Sequence, residues 1–594
     1  MKRVTIPLTL IVKGPVLTKS SSIGRIGIDA VMAEGRFRNP KTEKVEKRYY
    51  LPGTLVKGLL REAWWELAAA DDRFWRLTEE YLGAKSAAEA TNDPGTNDPR
   101  RGRLLFSDFA DRGEHNSIMT TRYRIAIDEE RGAVDAGKLQ MAESPYAPGE
   151  EIEFVGEARL LVTEGEDASQ IADAVHRGLL WVMAAGGVRT SGFGEIRGVR
   201  KDREKTQVAP QGLDEMGARW RISLTFDQPV VFARRRISEN LFESSKSIPG
   251  AAIKGAVGQM LARVRGEFAE LEQELHLVRF TQAVPAEKGK PLPEQWPLSL
   301  LSFQKDVRTG DKFEVVDAVR CREPFWQGDK AGAFDIDWKD DEWRAVETRY
   351  DWPGDAVLQQ ELRVRTGISG EHRRADESKL FAYWMLSPFG VEWTGEVDAS
   401  RLGASARTQL EQILRMGVEP LGKTKALGRV DLSSAPLPTV KAAPDYVLTL
   451  QTPALLLDPS REMDYPAVWN RLSEGALEMV NFFHRTRLAG GDYVQKRFHP
   501  KRPQYKPYLL TEAGSTFLLK PVAGREEDAR KWLEEWARHG LPLSQQVRTF
   551  YEIGDTPDRP QWKQCPYLPE NGYGEIRVNS TARFPEAEEC TKIR

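Results

Sequence analysis

The sequence predicts an α+β protein built from tandem copies of one module, and three observations carry that reading. A set of short signatures occurs twice in the same order, with part of it returning a third time. Each copy opens on a strand-like apolar run and closes on a glycine turn before another short strand. Between those ends, the first two copies carry an amphipathic helix announced by Pro-Gly.

Pro52-Gly53-Thr-Leu-Val-Lys57-Gly58 recurs as Pro249-Gly250-Ala-Ala-Ile-Lys254-Gly255. Arg122-Tyr-Arg124, with Lys138-Leu139 and Gly156-Glu157 behind it, is echoed by Arg363-Val-Arg365, Lys379-Leu380 and Gly395-Glu396. The step from Arg124 to Lys138 is fourteen positions, and so is the step from Arg365 to Lys379, so the spacing is inherited as well as the residues. The closures are Gly187-Val-Arg189-Thr-Ser-Gly192-Phe-Gly194, Gly422-Lys423-Thr-Lys425-Ala-Leu-Gly428 and Asn571-Gly572-Tyr573-Gly574-Glu575-Ile576.

Three modules follow, at 1–205, 216–435 and 445–594. They are separated by the polar segment 201–217 and by the proline-containing connector Ser433 to Pro444, whose composition suits an extended chain. Val4 to Val12, Trp220 to Phe226 and Tyr446 to Leu450 read as opening strands. In the first module Leu55, Leu59, Leu60, Ala63, Trp64 and Leu67 share one face at a 3.6-residue period, the pattern of a helix packed on a sheet. Second helices are predicted at Ala168 to Ala185, Ser405 to Met416 and Glu526 to His539. Strand, helix, strands, helix, strand is the ferredoxin-like or RNA-recognition-motif order. Thr91 to Pro99 repeats a four-residue unit without a large apolar residue and reads as a surface loop; it lacks the ligand spacing of a calcium loop.

Composition narrows the function classes. With 594 residues, 40% apolar and 29% charged, the chain is of globular composition, and its apolar runs are too short to span a membrane. A cytoplasmic location is expected, with no membrane partner. The three cysteines, Cys321, Cys565 and Cys590, show no paired spacing for a disulfide framework or a zinc site. Gly490-Gly491-Asp492-Tyr493 lacks the second aspartate of two-metal nucleotide chemistry. A net charge of −2 means that any polyanion site is local.

The shared residues are glycines and cations, which points to a phosphate-rich polymer. Lys57 and Lys254 sit in the first turn of a helix, where a cation opposes the macrodipole unless an anion joins it. A phosphate at the free N–H groups would supply that anion; the alternative is a lysine solvated away from the helix. Glycine closures permit positive φ and close backbone approach, and Arg189, Lys423 and Lys425 bring charge to them. Arg122 with Arg124, and Arg363 with Arg365, project in pairs from one strand face. Either RNA or acidic neighbours satisfy such pairs. From Arg485 to Tyr508, seven cations including Lys496, Arg497, Lys501 and Arg502 face a single acid and alternate with aromatic residues, a composition suited to single-stranded nucleic acid.

These residues resemble the RAMP superfamily of CRISPR-associated proteins. Leu51-Pro-Gly-Thr-Leu-Val-Lys-Gly58 is similar to that family's Pro-Gly helix start, and the glycine closures resemble its signature loop. Module one, with Ile26-Gly-Ile-Asp29 upstream of the helix, resembles the Cas-seven-like backbone subunits of type III (Csm and Cmr) effectors. Modules two and three together resemble a Csx-ten or Cas-five-like protein of subtype III-D, through Ser247 to Gly255, Lys379 to Tyr383, Gly514 to Phe517 and the last closure.

The resemblance implies a subunit that binds CRISPR RNA beside other type III effector subunits and meets target RNA. It also implies that Asp29 cuts the paired target with a divalent metal, Mg2+ or Mn2+; module two has Arg234 to Asn240 in the corresponding place and no aspartate. Two other readings stand beside it. One is an architectural capping subunit that never cuts; the other is a guide-maturing endoribonuclease using His484 or His499.

Overall fold

The computed structural model describes residues 1–18, 28–39, 42–84, 100–113, 120–125, 127, 130, 133–134, 139–210, 217–238, 240–264, 266–287, 292–304, 313–320, 356, 358–368, 375–461, 464–499, 504–554, 556–557 and 559–579. Thr91 to Pro99, Lys138, Lys501, Arg502, Cys321 and Cys590 lie outside them.

Module one comprises β1 (Lys2–Lys13), α1 (Gly53–Leu67), β2 (Phe109–Asp111), a hairpin of β3 (Thr120–Arg124) and β4 (Gln140–Ser144), then β5 (Glu151–Val162), α2 (Ala168–Trp181) and β6 (Glu195–Lys201). The sheet runs β6-β1-β5-β2, with every neighbouring pair antiparallel. This is the ferredoxin-like order: first and third elements central, second and fourth at the flanks. The apolar face of α1 buries Val56, Leu59, Leu60, Ala63 and Trp64 on it, each worth roughly 1.5–3 kcal/mol for a large side chain. Gly178 on α2 lets the helices touch, because a Cβ there would meet Leu60 and Trp64. Trp64 Nε1 donates to the Ala174 carbonyl at 3.0 Å.

Module two repeats the plan: β7 (Arg219–Phe226), α3 (Gly250–Arg263), β8 (Arg279–Phe280), a hairpin of β9 (Gln360–Ile368) and β10 (Ala375–Leu386), β11 (Glu392–Asp398), α4 (Ala404–Arg415), and β12 (Val418–Leu421) with β13 (Ala426–Ser434). Its order is β8-β11-β7-β13. Module three follows with β14 (Tyr446–Leu450), α5 (Tyr465–Leu472), β15 (Leu477–Phe483), a short α6 (Asp492–Phe498), β16 (Thr516–Pro521), α7 (Glu526–His539) and β17 (Ile576–Val578), ordered β15-β16-β14-β17. Each module has its own apolar core. Module three thus has the same fold without a Pro-Gly helix start; Pro466 in the first turn of α5 does that work. Among the described residues no helix is long and apolar enough to cross a membrane.

The modules join head to tail. At the first junction Glu419 of β12 is 1% exposed and receives Arg3 Nε at 2.8 Å and Arg159 Nε at 3.1 Å. At the second, the closure of module three packs against the start of α3: a Cβ on Gly572 would collide with Phe280 and Gln282, and one on Gly250 with Phe280 and Asn571. Gln282 N donates to Glu575 Oε1 at 2.8 Å across the same contact.

Candidate nucleic-acid interface

The Pro-Gly helix start is shaped by a close approach rather than by an open anion site. A Cβ on Gly53 would fall well inside contact with the carbonyls of Phe106 and Ser107. The free N–H of Gly53 donates to Asp108 Oδ1 at 2.9 Å. Asp108 therefore holds the place that the sequence reading assigns to a phosphate, and its charge suits the positive end of the helix. Its other oxygen accepts from Arg363 Nη1 at 2.6 Å, and Arg363 also bonds Glu361 and lies 4.6 Å over the Tyr50 ring. Arg363 is thereby a buried tie between modules one and two, not a free cation on a strand face.

Lys254 is internal as well. Its ammonium donates to the His276 and Val278 carbonyls at 2.9 and 2.8 Å, and burial brings its pKa down to about 8. Both of its observed bonds are to this chain's own backbone.

Lys57 has different surroundings. Its one hydrogen bond is a long one, 3.4 Å to the Leu104 carbonyl. Its pKa is pulled down to about 7, first by loss of water and then by the charges of Lys425, Arg61 and Arg263. Arg61 stands one helical turn beyond Lys57 and donates to the Leu82 and Gly83 carbonyls. Arg263 ends α3, with Nη1 buried and lacking a hydrogen-bond partner. Lys425 sits in the closure with a left-handed backbone, φ 56°, a conformation that L-residues avoid outside tight turns. Its ammonium is also lowered, by the surrounding protein first and then by Arg101, Arg365, Arg263 and Arg61. Cations from α1, α3, β9 and the second closure thus meet at the first junction, and among the described residues no carboxylate acts on Lys57.

Beside this cluster stands an aromatic step. Phe242 and Tyr383 stack with centroids 5.5 Å apart and planes 22° from parallel. Lys423 lies 5.1 Å over Phe242, and Arg365 lies 6.0 Å over Tyr383. In module one Arg122 lies 5.8 Å over Phe193 of the first closure, but that ring is buried against Leu17, Ala30 and Ala142 and offers no stacking face. Cations next to partly exposed rings form a surface on which unpaired bases stack while phosphates are neutralised.

The remaining residues do not join the cluster. Arg189 pairs with Glu62 at 3.4 Å. Arg124 is exposed on β3, paired in register with Gln140. Lys496 and Arg497 stand exposed in the last turn of α6 and are not among the cations acting on Lys57 or Lys425. In the same segment Arg485 and Arg487 both bind Glu512. His484 packs against Tyr465 and Phe482, and burial lowers its pKa; His499 Nε2 is 2.8 Å from the Tyr508 hydroxyl.

Asp29 extends the edge of the β3-β4 hairpin. It is exposed, its N–H donates to the Met141 carbonyl at 2.8 Å, and its Oδ2 accepts from Met141 N at 2.7 Å. Among the described residues no group of three or more His, Cys, Asp or Glu could hold a metal ion. Asp29 is then a lone carboxylate already bonded to backbone, and the described side chains do not by themselves form a site for Mg2+ or Mn2+.

Sequence reasoning missed Arg61, Arg101, Arg263, Phe242 and Tyr383. Arg61 carries a signal, lying four residues from Lys57 on one helix face. The others come from distant segments and have none.

Residues 9–197 match the family model described as the RAMP superfamily. The N-terminal module is similar to the RAMP superfamily over that stretch. No curated protein matches the chain. Among solved structures, a chain of a Type III-B Cmr-beta complex bound to cognate target RNA and AMPPnP is similar at 13% identity and TM-score 0.28, over 50% of this chain and 86% of that one. A chain of Cmr-beta bound to cognate target RNA gives 11%, 0.29, 50% and 86%, and one from a Type IV-B CRISPR complex gives 13%, 0.23, 36% and 94%. Likenesses of this size do not reach a shared overall arrangement. The matched stretch contains Lys57, Arg61 and Arg101, so one side of the cationic junction lies within it.

Proposed function

We infer that this chain is a CRISPR RNA-binding subunit of a type III CRISPR effector complex, working in the cytoplasm with other effector subunits and with target RNA. The observation that carries it is the junction where Lys57, Arg61, Arg101, Arg263, Arg365 and Lys425 gather around an aromatic step. Lys57 with five further cations, and no carboxylate among the described groups acting on Lys57, favours a phosphate backbone, and stacked rings favour one that is locally unpaired. The RAMP match of the first module supports the same reading. The second junction is built otherwise, since Lys254 binds carbonyls and the closure at 571–575 contains Glu575 but no cation. Module three accordingly caps the track instead of extending it.

Purification of the full chain without nuclease treatment, followed by digestion with RNase or DNase, tests the reading. RNA that disappears with RNase supports it. A chain that carries no nucleic acid and binds no added RNA overturns it.

A second reading adds target cutting by module one. It is favoured by the exposure of Asp29 at a hairpin edge next to the first closure's neighbourhood, where Arg122 meets Phe193. An assembled complex carrying Asp29→Ala should then lose metal-dependent cutting of target RNA while retaining the guide. Unchanged cutting leaves the binding role alone.

A further inference from the structure

The first junction has a property that a simple basic patch lacks. A lysine on a wet surface keeps its proton to high pH, so its contribution to RNA binding does not depend on pH near neutrality. Lys57 is not on such a surface. It is largely buried where α1 meets the second closure, holding one long hydrogen bond among the described residues.

The charged groups facing it are Arg61 from its own helix, Arg263 from the end of α3, and Lys425 from the closure. Behind Lys425 lie Arg101 and Arg365. Among the described residues, Glu419 acts on Arg263 and is itself bonded to Arg3 and Arg159. The buried Nη1 of Arg263 and Nε of Arg61 lack hydrogen-bond acceptors, and an unmet buried donor is costly. Both the charge and the unmet donors call for one thing, an oxyanion inserted from outside.

Resting on the RNA-binding reading above, we propose that this cluster of cations clamps a backbone phosphate of RNA between modules one and two and takes up a proton as it does so. Within the chain, burial and then the neighbouring cations lower the Lys57 pKa to about 7, and Lys425 is lowered in the same direction. A phosphate between them replaces repulsion by attraction and restores an ordinary lysine value near ~10. Between those two values the free protein lacks a proton that the complex holds. By linkage, affinity is then pH-independent on the acid side and falls as pH rises through the free-protein pKa, with log affinity dropping about one unit per pH unit. Ordinary surface lysines give no such slope below their own high pKa.

The test uses the full chain and fluorescently labelled oligouridylate, with binding followed at fixed ionic strength across neutral and mildly alkaline pH. The expected result is an affinity that falls about tenfold per pH unit above about pH 8. Calorimetry in two buffers of different ionisation heat should show net proton uptake. The double variant Lys57→Arg, Lys425→Arg keeps both charges, because guanidinium does not titrate in this range. It should bind with a flat pH profile. Wild-type binding that is flat over the same range overturns the proposal while leaving RNA binding intact, and so does an unchanged slope in the double variant. Failure to bind RNA at every pH sinks the functional reading itself.

Discussion

Replacing Glu419 by Gln probes how the first two modules are held in register, and therefore how the cationic cluster at their junction is held together. Arg3 and Arg159 are 2% and 1% exposed, Glu419 is 1% exposed, and its two oxygens each receive one guanidinium. Glutamine preserves the shape but not the charge, and it turns an amide donor toward one arginine. Breaking a buried pair by removing one partner costs about 3–5 kcal/mol, because the other charge stays in the interior. Arg159 keeps Glu157 at 2.9 Å and Asp227 at 3.6 Å, and Arg3 keeps the Gln207 side chain and the Gly417 carbonyl. Those remaining partners place the expected loss near the lower end, about 3 kcal/mol.

Hydrogen–deuterium exchange of peptides covering β1 and β12, with urea unfolding alongside, reads this loss locally. A multi-domain chain need not unfold in one step, so the local readout matters. The Glu419 pKa is lowered despite burial, chiefly by the two arginines. The sign follows: its stabilisation is present above the ordinary carboxylate pKa and is lost as pH falls through the folded value. Glu419→Gln should abolish that acid-side loss. A companion variant, Arg3→Met with Arg159→Leu and Glu419→Leu, should recover most of the stability, since no charge is left stranded. Unchanged exchange in Glu419→Gln, or a triple variant as damaged as the single one, would refute the reasoning.

Two further outcomes follow from the helix starts. Gly250→Ala should destabilise the second junction by several kcal/mol or prevent folding, because the new Cβ meets the backbone of Phe280 and Asn571, which cannot swing aside; thermal unfolding of the purified variant checks it, and a Tm equal to the parent's would refute it. Lys254→Met should lower stability through two abandoned carbonyls, by about 1–3 kcal/mol for each acceptor left unmet. Its RNA affinity should keep the parent's salt dependence, whereas Lys57→Met should flatten that dependence by about one counterion.

The module plan was legible because it rests on local rules. Apolar period, Pro-Gly helix starts and glycine closures are written in short segments, and the opening strand Tyr446–Leu450 and helix Glu526–His539 stand at the predicted bounds. Helix ends were read less well. Ala168 to Ala185 was too long because Val182 leaves the helix for an extended conformation. The first helix of module three lacked the Pro-Gly signal altogether.

The fate of each cation was a different matter. Lys57 and Lys254 stand in equivalent positions in near-identical motifs, yet one looks into a field of cations and the other binds two carbonyls. Arg363 and Arg365 differ by two residues, and one is locked to Asp108 while the other lies over Tyr383. A repeated motif specifies which backbone a lysine stands on; it is silent about which segment packs opposite. Sequence alone therefore determined the α+β modules, their order and the residue types that gather charge. Tertiary structure decided which charges are cancelled inside the chain and which face the junction unmet, because electrostatic energy depends on distance and burial, and both are set by segments hundreds of residues apart.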